Sequence, residues 1–244
     1  LKQADEMIAA AKENHVLLSV CFVSRYTQQA IKVKELIEAG VIGEVFALRM
    51  SAIADKPETY WHGGYTQRIR TDWRTIKAQA GGGILIMNIV HDFDQMRYMT
   101  GLEPVRVYAE YDTFTTPVEV EDMISVVIRY HNGAIGSIDA TSCARGRGGM
   151  SNRIYGKDGQ IALESPLRVY TTKAIEGFEA NRWVEIPLAG GNSRQLYIED
   201  FARAVLSGAT SAPVTGEDGR ATLAALAAAY ESGEKKMPVW LERA

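Results

Sequence analysis

The period of the hydrophobic pattern changes at Gly101, and no other feature constrains the fold so tightly. Before it, Ile86, Ile89, Val90, Phe93 and Met96 recur at helical spacing, which makes one buried stripe. Gly101 suits the left-handed residue that ends such a helix. After it, Val105, Val107, Ala109 and Tyr111 alternate with Arg106, Tyr108, Glu110 and Asp112, the period of a half-buried strand. Further strands are expected over 121–130 and 134–142, joined by His131-Asn132-Gly133. Asn-Gly is a strong hairpin signal. Residues 152–156 and 160–164 flank Lys157-Asp158-Gly159, a second hairpin turn, and 166–172 and 181–187 complete the set. Successive hairpins make a largely antiparallel sheet. A helix over 194–207 places Leu196, Ile198, Phe201, Ala202 and Val205 mostly on one face. A helix over 217–231 places Leu223, Leu226, Ala227 and Tyr230 inward, and 237–241 reads as a last strand. Helices packed on an open, mostly antiparallel sheet give an α+β fold.

The front of the chain reads differently. A helix over 2–13 precedes an apolar strand over 15–23, a pairing typical of an α/β sheet. This strand has no parallel neighbours in the sequence, and the chain opens on Leu1 rather than Met, so a longer protein is expected. A helix over 27–39 and a strand over 44–53 follow. Residues 54–80 show little periodicity and hold Tyr60, Trp61, His62, Tyr65, Asp72, Trp73 and Arg74. A long aromatic loop in a compact domain is usually functional.

The formal net charge is −3, from 27 basic and 30 acidic residues, which gives no electrostatic case for nucleic acid. Two cysteines, Cys21 and Cys143, stand far apart and read as reduced, buried thiols of a cytoplasmic protein. No apolar run reaches the ~18 residues needed to cross a bilayer.

Chemistry concentrates in Gly81-Gly82-Gly83 and the helix after it. The glycines allow a tight turn and close approach of a ligand. A helix N-terminus beyond them would offer free N–H groups to an anionic or polar ligand. Asn88 and His91 are three apart, hence neighbours on one face, and lie off the apolar stripe. An imidazole with an ordinary pKa near 6.5 can move protons at neutral pH. His91 with Asp92 or Asp94 could also suggest a metal, but two ligands make no closed site, and none is expected.

The chain resembles the carboxy-terminal part of the Gfo/Idh/MocA oxidoreductases, the glucose–fructose oxidoreductase and inositol dehydrogenase family. The matching features run in order: Ser24-Arg25-Tyr26 after the first strand, the run from Glu35 to Gly43-Glu44-Val45, and Asp72-Trp73-Arg74 ahead of the triple glycine. They continue with the helix ending His91-Asp92-Phe93-Asp94, then Glu121-Asp122, Tyr155-Gly156-Lys157-Asp158-Gly159, Phe201, Pro213, Gly219, Ala229-Tyr230-Glu231-Ser232 and Val239. The resemblance implies that residues 1–23 are the last helix and strand of a Rossmann domain for NAD or NADP. Residues 24–244 would then be the substrate-binding and oligomerisation domain of a sugar, cyclitol or polyol dehydrogenase, a dimer or tetramer. No G-x-G-x-x-G follows a strand here; Arg145-Gly146-Arg147-Gly148-Gly149 leads into another strand and reads as a loop.

By the same resemblance, His91 is the catalytic base and Asn88 orients a substrate hydroxyl. Met87 stands where many members carry Asp or Asn. Trp73 and Arg74 match positions that contact the nicotinamide side of the cofactor, although a loop anchored by a buried Trp would look the same. Arg25, with Tyr26, lies where the cofactor cleft opens and is expected to bind the cofactor, unless it forms an interdomain salt bridge instead. Tyr60, His62 and Lys77 are weaker substrate-loop candidates. The alternative reading is a non-catalytic ligand-binding or oligomerising module of the same fold.

Overall fold

A computed structural model describes residues 1–68, 70–146, 148–149 and 151–241. Its frame is a nine-stranded sheet in the order β8-β7-β6-β5-β1-β4-β3-β2-β9. The strands are β1 (Val45–Ile53), β2 (Pro104–Asp112), β3 (Met123–Tyr130), β4 (Ile135–Thr141), β5 (Arg153–Gly156), β6 (Gly159–Ala162), β7 (Leu167–Thr171), β8 (Arg182–Ile186) and β9 (Val239–Trp240). The sheet is α+β in class and antiparallel throughout except where β1 runs parallel to β4. The hairpin at Asn132-Gly133 forms as expected, with Gly133 at φ +89°, a conformation that suits glycine.

Register explains the core. Val126 faces Ile138, Ile138 faces Met50, Leu48 faces Ile154, Ile154 faces Ile161, and Ile161 faces Val169. Because side chains alternate across a strand, these residues share one face, and all are buried. Against it lie α2 (Gln28–Glu38), α5 (Val90–Thr100) and α7 (Gly216–Lys235), which add Val33, Leu36, Phe93, Met96, Ala225 and Leu226 to the same cluster. The opposite face stays open: Val127 is 53% and Trp183 41% exposed.

Several expectations need correction. Residues 15–23, expected as a strand of a preceding domain, form no ladder among the described residues. Val20 N–H donates to the Val214 carbonyl at 3.1 Å, Ser19 bridges Thr215, and Val23–Tyr26 form a 3₁₀ turn. A strand exists only through partners, and the described residues supply this single bridge. Cys21 is consequently exposed rather than buried, and Cys143 is half-buried. The 54–80 segment contains short helical turns, α3 (Glu58–Gly63) and α4 (Lys77–Ala80). In α6 (Ser193–Leu206) the packed strip runs through Leu196, Tyr197, Asp200, Phe201 and Ala204, while Ile198 and Val205 are exposed. In α7, Ala228 and Ala229 are buried, whereas Leu223 and Ala227 are half-buried. The glycine loop after β4 is tied to β1, since Ile53 N–H donates to the Gly149 carbonyl at 2.9 Å; its Arg147 lies outside the described residues. The described residues contain no helix long and apolar enough to cross a membrane.

Candidate active site

The site is built on the helix that follows the triple glycine. Its first turn is wide: Leu85–Ile89 form a π turn before α5 begins at Val90. Such turns displace the side chains around them and recur at functional sites. Asn88 on the wide turn is half-buried, and His91 on the first turn of α5 is exposed. Beneath them Ile89, Phe93 and Met96 of the expected stripe are buried together with Leu85, whereas Ile86 and Val90 are half-buried against the same cluster.

The helix N-terminus is not open to a ligand, which corrects the sequence-based expectation. The Glu121 carboxylate, 4% exposed, accepts from Gly83 N–H at 2.6 Å and Leu85 N–H at 3.0 Å. The Tyr230 hydroxyl donates to the same carboxylate at 2.8 Å and accepts from Ile86 N–H at 3.3 Å. A protein carboxylate therefore takes the place that an anionic ligand would fill. The glycines serve this packing. A Cβ on Gly82 would lie 2.0 Å from the Tyr230 hydroxyl oxygen, and one on Gly83 1.9 Å from the Glu121 carbonyl oxygen. Burial and Glu121 together push the Tyr230 hydroxyl far above its ordinary pKa, so it stays protonated. Neither Glu121 nor Tyr230 is singled out by sequence spacing, because the contact joins three distant segments.

Arg25 is drawn into the base of the same helix. Its Nε and Nη2 donate to the two oxygens of Asp94 at 2.7 Å each, and Nη2 lies 3.3 Å from Asp218 on α7. Burial alone would lower its pKa, but the two carboxylates outweigh it, and the guanidinium stays charged. Asp94 also accepts from Thr222 at 3.1 Å and is fully buried. Phe22 closes this cluster against the imidazole, with ring centroids 6.1 Å apart and planes at 83°. Tyr26 is separate, donating to Asp200 of α6 at 2.7 Å. Asp92 is half-buried, and desolvation raises its pKa to about 6.

The aromatic loop forms a second group. The Arg74 guanidinium carbon lies 4.4 Å from the Trp73 ring centroid and 5.4 Å from that of Tyr60. Trp73 is 39% exposed, so it is not the buried anchor of the loop; Trp61, at 2%, is. His62 Nδ1 lies 2.7 Å from Asp72 Oδ1, and Lys77 pairs with Glu234 at 3.0 Å. A cavity of about 310 Å³ beside this loop is lined by Lys56, Glu58, Trp61, Thr115, Cys143 and Arg145, among others. The two groups meet at Met87, which packs on Tyr60, Trp61 and Val120. Its apolar side chain thus fixes the loop to the wide turn.

An exposed indole backed by a stacked guanidinium suits one face of a nicotinamide ring. The N-terminus of this helix offers a dinucleotide pyrophosphate no cradle, because Glu121 occupies it. These residues therefore fit the nicotinamide end of the cofactor only. Among the described residues, no three His, Cys, Asp or Glu side chains converge as metal ligands do.

Residues 30–162 match the family model described as the GFO/IDH/MocA C-terminal domain. The chain is 30% identical to the myo-inositol 2-dehydrogenase of Thermotoga maritima, an alignment covering 99% of this chain and 70% of that one. It is 26% identical to the levoglucosan dehydrogenase of Pseudarthrobacter phenanthrenivorans over 87% of this chain and 64% of that one. A solved levoglucosan dehydrogenase in complex with NADH and levoglucosan superposes with a TM-score of 0.82 at 26% identity, covering all of this chain and 71% of that one.

Proposed function

The chain belongs to the GFO/IDH/MocA family, and from that premise we propose that it is the substrate-binding part of an NAD- or NADP-dependent oxidoreductase acting on a sugar, cyclitol or related polyol. One observation carries the reading. An exposed imidazole, His91, follows a half-buried amide, Asn88, across a wide helical turn whose start is locked by Glu121 and Tyr230. His91 accepts the proton of the hydroxyl being oxidised. Asn88 presents both a donor and an acceptor and orients that hydroxyl. Bound NAD or NADP supplies the hydride acceptor; Trp73 and Arg74 hold its nicotinamide end. Arg25 acts from beneath, tying the 22–26 turn to α5 and α7.

Residues 1–23 are read as the last helix and strand of a dinucleotide-binding domain and 24–244 as the substrate domain. This is supported by the segment before Val23, which pairs at one bridge only, and by relatives of which this chain spans 70% and 64%. The open sheet face, which presents Val127, Ile135 and Trp183 among charged and polar side chains, is read as the contact between copies. The two free cysteines, Cys21 exposed, fit a reducing cytoplasm.

The test is a panel assay on the full-length protein, with myo-inositol, levoglucosan and other polyols offered with NAD⁺ or NADP⁺. Reduction of the nicotinamide with at least one polyol is expected. Polyol binding without reduction by either cofactor would favour the non-catalytic module instead.

A further inference from the structure

We propose that Phe22, braced by the Arg25–Asp94 pair, is a positioning residue for the His91 imidazole; the inference rests on His91 being the proton acceptor. It is carried by a ring of contacts that the α5 backbone closes. His91 and Asp94 lie three apart on α5 and project from adjoining positions. Asp94 receives the guanidinium fork of Arg25 in two hydrogen bonds of 2.7 Å. The Arg25 guanidinium carbon sits 5.8 Å from the Phe22 ring centroid. The Phe22 ring meets the imidazole edge to face, 6.1 Å away, and so returns to the helix where the ring began. Thr222 and Asp218 of α7 hold the Arg25–Asp94 pair from behind.

The burial gradient gives the ring its meaning. Asp94 is fully buried, Phe22 is 5% exposed and Arg25 9%, whereas His91 is exposed. A surface histidine left to itself samples several staggered rotamers. A fixed aromatic wall on one side removes those that would swing the imidazole over the 22–26 turn. Fewer competing orientations before reaction mean a higher fraction of productive encounters. The fork needs arginine, because a lysine ammonium cannot make the paired, planar contact with a carboxylate. None of these groups touches a reacting atom. Their effect is expected on turnover rather than on substrate affinity.

The test uses the full-length protein. In the wild type, an NMR cross-relaxation contact between the Phe22 ring and the His91 imidazole is expected. The chain has four histidines, and His91→Gln identifies the signal. Phe22→Leu, which keeps most of the side-chain volume, should displace the His91 resonance by removing the ring current. It should also lower kcat by roughly ten- to a hundredfold with KM unchanged, and Phe22→Tyr should restore most of the rate. Absence of the Phe22–His91 contact in the wild type would overturn the inference without any variant. So would wild-type kcat in Phe22→Leu, or a loss confined to KM. If His91→Ala itself kept wild-type turnover, the proton-acceptor assignment would fail; an inactive His91→Ala beside a normal Phe22→Leu would sink the positioning role alone.

Discussion

Asp92 carries a cost that can be measured. Desolvation lifts its pKa from 3.8 to about 6. Between those values the folded protein keeps a proton that the unfolded chain has released, so stability falls as pH rises from about 4 to about 6 and is level above that. Near neutral pH the buried carboxylate costs on the order of 1–3 kcal/mol. Asp92→Asn should therefore be more stable than the wild type at neutral pH and equal to it near pH 4. Urea unfolding across this range checks the sign, and a difference independent of pH would contradict it. Residue by residue, the sequence makes His91 and Asn88 visible because they break an apolar period. It makes the triple glycine visible too, but not its purpose. The group that fills the helix N-terminus, Glu121, lies 38 residues beyond Gly83, and no local pattern announces such a contact. The free donors expected there are absent for that reason.

The elements were legible wherever one face is buried and the other is wet. Strands β2 to β8 fall within a few residues of their alternation, and Asn132-Gly133 marks its hairpin. Legibility failed where partners decide. Residues 15–23 have a strand's composition but pair at one bridge only. In α6 the packed strip follows the 3₁₀ turn at Val23–Tyr26 rather than the most apolar positions, because Tyr197 and Asp200 take hydrogen bonds from or to that end of the chain. The π turn is equally silent in sequence, and its first residues dock on Glu121 and Tyr230. The strength of that docking can be tested at Gly83. A methyl group there would lie 1.9 Å from the Glu121 carbonyl oxygen, which demands a backbone shift. Gly83→Ala is expected to lower the unfolding free energy by about 3 kcal/mol, the upper range for overpacking, and to reduce turnover as α5 moves. Unchanged stability in chemical denaturation would show that the cap tolerates displacement.

Across the whole molecule, the sheet has two unlike faces. One face carries α2, α5 and α7 and the site at the head of α5; the other presents Val127, Ile135 and Trp183. Val127 lies on β3, the third strand in from the β9 edge of that open face, paired with Ser137 on one side and Tyr108 on the other. If copies meet there, Val127→Lys should shift the full-length protein to monomer in light scattering while its circular dichroism stays intact. A wild-type protein that is already monomeric would remove this role. The central claim concerns the other face, and turnover of His91→Ala in the full-length protein tests it most directly, with the polyol that supports nicotinamide reduction. We expect a loss of at least about a hundredfold, as befits a general base, with an unaltered melting profile and cofactor affinity. Turnover within a few fold of the wild type would contradict the assignment of His91 and with it the site proposed at the head of this helix.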